Sequence, residues 1–226
     1  VVMEKIFKPS KSEKRAMKLL KQTYTSILSI GISTGGAAEI NMAQKCQNAQ
    51  IIATTIDEKG LQFSNDKIKS HPEHARIQTK IEDVSKPMPY KNSTFDFIYA
   101  RLVLHYLSKQ QLNDALKEIH RVLKPNGILF IVARNNKEWE LKKPEFIISY
   151  DEKTNMTTYY EQLKKEKIQT RQFLSQEQLK TVLAEHNFRI CSAKDYREYL
   201  FTDYERTNKN KSKKPNYLTE IVATKL

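Results

Sequence analysis

Apolar residues along this chain fall into two spacings. Short, nearly continuous runs recur at SILSI (26–30), IIATTI (51–56), a weaker stretch over 76–81, FDFIYA (95–100) and ILFIVA (128–133). Between them the apolar positions spread to intervals of three and four, which predicts helices over 36–46, from the second run to about residue 69, and over 110–123. Ahead of the first run, residues 12–24 read as an amphipathic helix with Ala16, Met17, Leu19, Leu20 and Tyr24 on its apolar side. Strands alternating with helices of this length predict right-handed βαβ crossovers and a parallel sheet. The last third breaks the rhythm. Residues 135–172 carry no clean period, and SQEQLKTVLAEHN (175–187) is predicted as a helix opened by Ser175 with Gln178 at capping-box distance. Two strand-like stretches, 188–196 and 216–226, then form a hairpin around a lysine-rich loop.

Composition narrows the class. The chain has 226 residues, 39% hydrophobic and 29% charged, too apolar for a disordered polymer and with no run near the roughly 18 residues of a membrane span. Cys46 and Cys191 stand apart with no CxxC or His pair, which argues against a disulfide framework and a metal site and for a reducing compartment. No apolar core with a small-residue cleavage site opens the sequence, so a cytoplasmic location is expected. The net charge of +13 is densest in residues 1–25, with seven basic and two acidic side chains, and in KNKSKKP (209–215). Two readings stand: a solvated lysine-rich surface, or a patch for nucleic acid or another anionic partner.

Glycine is scarce, five residues where average usage gives roughly 16, and three of the five fall in LSIGISTGGAAE (28–39). A strand-to-helix turn of this kind lies at the switch point of an open α/β sheet, where ligands bind. Ser33 occupies the place of the second glycine of a dinucleotide fingerprint, and no Gly-Lys-Ser/Thr follows, which disfavours NAD, FAD and nucleoside triphosphates.

Downstream, DVSKPMPYKNSTFDFIYARLVLHYL (83–107) and RVLKPNG (121–127) complete a recognisable pattern. Over residues 26–134 the sequence resembles the class I S-adenosylmethionine-dependent methyltransferases of the UbiE-like, small-molecule type. The resemblance implies an α/β, three-layer Rossmann-like sandwich whose mostly parallel seven-stranded sheet has one antiparallel strand at the C-terminal hairpin. It also implies one domain over 1–226, divided into a helical lid (1–25), a cofactor core (26–134), a substrate-side cover (135–172), and the final helix and hairpin (173–226).

The implied cofactor is S-adenosylmethionine. Gly31, Ser33 and Gly35 would line its methionine tail and ribose, and Asp83, with Glu82 beside it and the Val84 N–H, would meet the adenine. Ala100, Arg101 and Leu102 would close the pocket at the end of the fourth strand. Two family acids are replaced, by Ser29 before the glycines and by Thr55 after the second strand. Asp57, two residues beyond Thr55, points the same way in an extended chain and reaches the ribose or caps the next helix. Asp96 is expected to be structural.

Methyl transfer is chiefly in-line positioning, with a base optional. His105 and Tyr106 are the candidates for that base, or are packed residues. Trp139, Tyr150, Tyr159 and Tyr160 are candidates to stack on an acceptor, or are core of the cover. A small or mid-sized acceptor is expected. The competing readings are RNA or protein methylation on the basic surface, and a binding protein that has lost activity with its two acids.

Overall fold

The computed structural model describes residues 9–161, 166–201, 203, 204, 206 and 208–226. The expected alternation is present. In chain order the elements are α1 (Lys11–Leu19), β1 (Ser26–Ile30), α2 (Ala37–Lys45), β2 (Gln50–Thr55), α3 (Glu58–Lys69), β3 (Ile77–Ile81), β4 (Phe95–Arg101), α4 (Lys109–Val122) and β5 (Leu123–Arg134). They are followed by β6 (Ile147–Asp151), β7 (Met156–Tyr160), β8 (Ile168–Arg171), α5 (Gln176–Glu185), β9 (Phe188–Glu198) and β10 (Asn216–Lys225).

Seven strands form the main sheet in the order β3-β2-β1-β4-β5-β10-β9. β10 runs antiparallel to both its neighbours, so it is the one reversed strand. Alternation along the strands divides the core. Leu28, Ile98, Ala100, Leu129 and Ile131 face α4 and α5, while Ile27, Phe97, Tyr99, Phe130 and Val132 face α1 and α2. These are the layers of a three-layer α/β sandwich.

Local signals set the helix ends. Ser10, Ser108 and Ser175 open α1, α4 and α5 with full capping boxes, their partners being Glu13, Gln111 and Gln178. Helix α1 is shorter than the expected 12–24, because Leu20 is already extended. Leu20 and Tyr24 remain buried nonetheless, and Tyr24 stacks on Phe97 at 6.3 Å, so a turn delivers the same apolar positions. Asp96 is a junction. Its carboxylate accepts from the Thr25 N–H (2.9 Å), the Ser26 N–H (3.0 Å) and Lys124 Nζ (2.8 Å), tying the starts of β1, β4 and β5.

Residues 135–172 contain a second sheet, β6-β7-β8, antiparallel throughout. Its first strand is exposed along nearly its whole length, so no face demands apolar residues and no period is written into the sequence. Of the aromatics expected here for acceptor stacking, only Tyr159 is buried; Tyr150 is exposed and bonds Asn155.

Because Asp96 in β4 accepts hydrogen bonds from the start of β1 and from β5, Asp96→Ala is expected to destabilise the fold by about 2–3 kcal/mol. Urea unfolding monitored by circular dichroism checks this; an unchanged midpoint would remove Asp96 from the structural role.

Candidate active site

From the β1–β4 pair the chain leaves toward opposite edges of the sheet, which opens a crevice at the carboxyl ends of these strands. The turn after β1 is anchored twice by backbone, with the Gly31 and Ile32 N–H groups each 2.8 Å from the Thr54 carbonyl. Gly31 sits at φ +76°, and a Cβ there would meet the Val103 Cβ at 3.0 Å, so the turn packs directly against the chain leaving β4. Gly36, at φ +68°, starts α2; its Cβ would strike Ile68 at 2.6 Å.

Behind this turn lies a residue the sequence reading passed over. Glu39, in the first turn of α2, is fully buried. One carboxylate oxygen accepts from the Ser29 hydroxyl (2.6 Å) and the Ser33 N–H (3.1 Å), and the other accepts from the Ser33 hydroxyl. Ser33 Oγ in turn accepts from the Ala38 N–H at 2.9 Å. The acid absent from position 29 is therefore matched by one arriving from the next helix. An acid set between Ala38 and Ile40, inside an apolar stretch, was the available signal.

The crevice is a cavity of about 450 Å³. Its walls are residues 30–34, the end of β2 through Asp57, residues 82–84, and the end of β4 through Val103, with Tyr106 and Leu107 beyond. Among the residues singled out from sequence, Gly31, Ser33, Thr55, Asp57, Glu82, Asp83, Val84, Arg101 and Tyr106 are in this wall. Gly35 and Ala100 are not. Gly35 is buried within the turn at φ +67°, and Ala100 faces the opposite side of β4, in the core beside Leu28 and Ile98. Strand alternation gives the cavity Tyr99 and Arg101 instead. Tyr99 is fully buried and its hydroxyl has no hydrogen-bond partner among the described residues.

The acids in the wall have local partners. Asp57 accepts from the Tyr204 hydroxyl at 2.7 Å, a bond that holds its carboxyl below the usual range, and its side chain makes no capping bond to α3. Thr55 Oγ1 accepts from the Asp57 N–H at 3.1 Å. One Asp83 oxygen closes a turn with Ser85 through its N–H (2.9 Å) and hydroxyl (2.7 Å). Glu82 accepts from the Tyr90 hydroxyl at 2.7 Å.

A second cavity, about 250 Å³, adjoins the first, and Thr34, Arg101, Leu102 and Tyr106 line both. His105 lines only the smaller one. Its Nδ1 accepts from the Arg134 N–H at 3.3 Å, which puts the ring proton on Nε2. Burial, with Arg171 and Arg134 nearby, holds its pKa well below the ordinary histidine value, so the ring is neutral at pH 7. Tyr106 is half exposed, and its hydroxyl accepts from Arg171 Nη2 at 2.9 Å beneath that guanidinium. Trp139, Tyr150, Tyr159 and Tyr160 line neither cavity; the rings in the smaller one are those of His105, Tyr106 and Phe201.

Residues 28–131 match the family model described as a methyltransferase domain. An uncharacterized methyltransferase of Synechocystis sp. is 29% identical over 98 residues, 43% of this chain and 42% of that protein. The sterol 4-C-methyltransferase of Caenorhabditis elegans is 33% identical over 123 residues, 54% of this chain and 35% of its own length. Both matches span less than half of the relative. Among solved structures, an S-adenosylmethionine-dependent methyltransferase from Methanosarcina mazei superposes with a TM-score of 0.72 at 18% identity, over 92% of this chain and 95% of that one. The [4+2]-cyclase SpnF superposes at 0.62 with 18% identity, over 94% of this chain and 80% of its own.

The fold is thus that of the class I S-adenosylmethionine-dependent methyltransferases. Residues 28–131 match the methyltransferase-domain model, and the Methanosarcina mazei neighbour of the same fold is described as dependent on S-adenosylmethionine. The crevice suits that molecule: Gly31 and Ser33 border it, the Tyr99 hydroxyl has no partner among the described residues, and acids end the β2 and β3 walls.

Removing the Glu39 carboxylate strands the buried Ser29 hydroxyl and takes the acceptor from the half-buried Ser33 hydroxyl. Glu39→Ala is expected to cost about 2–4 kcal/mol, and Glu39→Gln, which keeps an acceptor oxygen, less. Chemical denaturation of both variants checks the order; equal midpoints would show that Glu39 does not hold the turn.

Proposed function

We propose that this protein transfers a methyl group from S-adenosylmethionine to a small-molecule acceptor. The observation that carries the reading is the pair of adjoining cavities, with Thr34, Arg101, Leu102 and Tyr106 in the wall of both. A donor in the larger and an acceptor in the smaller would be held in the fixed mutual orientation that methyl transfer requires.

When bound, S-adenosylmethionine supplies an electrophilic methyl carbon on a sulfonium. The protein's part is to hold and orient. Gly31, Ser33 and the Tyr99 hydroxyl would hold the methionine end. Thr55 and Asp57 would hold the ribose, with Asp57 sharing its carboxylate with Tyr204 or releasing it. Asp83 and Val84 would hold the adenine. Tyr106, fixed by Arg171 at the junction of the cavities, is the group to orient the acceptor or relay its proton. His105, neutral and enclosed, positions Tyr106 through their ring contact, with centroids 4.7 Å apart.

Size and enclosure support a small acceptor over RNA or protein. Two lysines of the basic run 209–215 lie over rings, Lys211 over Phe201 at 5.7 Å and Lys214 over Trp139 at 4.6 Å. No helix among the described residues is long and apolar enough to cross a membrane. A reaction other than methyl transfer stays in view as the second reading, because the same fold occurs in SpnF.

Calorimetry with S-adenosylhomocysteine tests the cofactor half. Saturable binding is expected, and Asp83→Ala should weaken it roughly ten- to hundredfold, the loss of one hydrogen bond to a charged acceptor. No binding at millimolar ligand overturns the reading. Given binding, Tyr106→Phe should lower the rate of S-adenosylhomocysteine release in turnover while leaving its affinity within about twofold.

A further inference from the structure

The smaller cavity has an unusual electrostatic composition. Among the described residues five cations line it, Arg101, Arg134, Lys167, Arg171 and Arg206, against two carboxylates, Glu13 and Glu161. The four arginines come from the ends of β4 and β5, from β8, and from the segment after β9, and each has a side chain less than 15% exposed. Guanidiniums so far from water are held only by compensating contacts.

Those contacts orient the wall without neutralising it. Glu13 is forked by Arg206, with Nη1 at 2.7 Å and Nη2 at 2.5 Å. A single Glu161 oxygen serves both Arg171 Nη1 (2.7 Å) and Arg134 Nη2 (3.1 Å), while Lys167 Nζ meets the other at 2.8 Å. Behind the wall, Glu138 and Glu140 take Arg134 Nη1, and Glu198 takes Arg101. Adding these three acids balances the count only if Glu138 is ionised. Burial, with Glu140 nearby, pushes Glu138 up to about 8 against the pull of Arg134, which favours an excess of cations among the described residues of the cluster. The Nε–H groups of Arg171 and Arg206 also have no acceptor among the described residues.

We infer that the smaller cavity is the acceptor site for an anionic small molecule, whose carboxylate or phosphate is held by the arginine wall while its nucleophilic atom faces Tyr106 and the larger cavity. The inference rests on the methyl-transfer reading of the paired cavities and adds the substrate class. In the reaction, the acceptor's lone pair forms the bond to the methyl carbon and the broken S–C bond leaves its pair on sulfur. A proton carried by the acceptor atom passes by way of the Tyr106 hydroxyl to solvent. Anion binding across the cavity would offset the excess of cations and fix the far end of the acceptor by charge-assisted contact with the arginine wall. A sterol fits poorly here. It is apolar and larger than about 250 Å³ of space with a cationic wall, so the acceptor named for the nematode relative is not carried over to this chain.

The test uses the full chain saturated with S-adenosylhomocysteine. Isothermal titration compares benzoate with benzamide, which differ in charge but little in shape, and with inorganic phosphate. Benzoate or phosphate is expected to bind at least tenfold more tightly than benzamide, and whichever of the two is tighter distinguishes a carboxylate from a phosphate acceptor. Arg171→Gln should abolish the preference. Since Arg171 is buried, Lys167→Ala, at a side chain 42% exposed, is the second variant and should weaken anion binding about fivefold with the S-adenosylhomocysteine affinity unchanged. Benzamide binding as well as benzoate, or anion affinity indifferent to Lys167→Ala, overturns the inference. Failure of S-adenosylhomocysteine itself to bind would instead overturn the cofactor reading, so the two failures are distinguishable.

Discussion

The Glu39 carboxylate is the contact on which the crevice depends. A carboxyl group with no exposure to water is costly unless it is hydrogen-bonded, and here three donors from Ser29 and Ser33 converge on it. Its place in the first turn of α2 adds the favourable end of the helix dipole. The consequence is geometric. With Ser33 tied to the helix and Gly31 tied to Thr54 and pressed against Val103, the turn after β1 is fixed relative to both β2 and the chain leaving β4. Those are three walls of the larger cavity. Ser29 thus stands where the family's acid is expected, and its hydroxyl donates to an acid ten residues later, Glu39.

A second set of buried charges joins the chain's two ends over the same sheet edge. Arg15 pairs with Glu220 at 2.7 Å, and the Ser12 hydroxyl donates to Glu198 (2.8 Å) while accepting from Arg101 (2.7 Å). Burial alone would raise Glu13, but Arg101 and Arg206 outweigh it and hold the group at about 2. Since its folded pKa lies below the unfolded value near 4.5, Glu13 stabilises the fold above that pH, and the contribution is lost as pH falls toward 2. This network makes α1 part of the smaller cavity's wall: Ser10 and Glu13 line it, and Arg101 connects it to the larger one. Its cost is tolerable because each ion has a fixed partner, and single truncations leave an unpaired buried charge.

The sheet was legible because its signals are local. Apolar runs, helical spacing and serine caps each report on a few adjacent residues, and β1 through α4 fall within a residue or two of their expected positions, with β5 beginning early at Leu123. What failed did so where tertiary contacts outweigh local pattern. Helix α1 stops at Leu19 although the apolar period runs on to Tyr24, because burial is satisfied by a turn as well as by helix. The meander β6-β7-β8 left no trace because little of its surface faces a core. Ala100 was assigned to the pocket by proximity in sequence, yet pleating gives that face to its two neighbours.

The same distinction separates the two cavities. The larger is lined by contiguous stretches, each following a strand, so motif and wall coincide and nearly all its residues can be read in order. The smaller gathers residues from Ser10 to Asn216, one or two from each element, and no window of sequence contains more than a fragment of it. Charge shows the difference most clearly. Counted along the chain, the excess of cations stands out at residues 1–25 and 209–215, where lysines are crowded. Counted in space, the cations that matter to a ligand are arginines scattered over more than a hundred residues, each unremarkable in its own neighbourhood. A cofactor shared by a whole fold class imposes a local signature on its turn, whereas an acceptor particular to one protein is recognised by side chains that only the finished fold brings together.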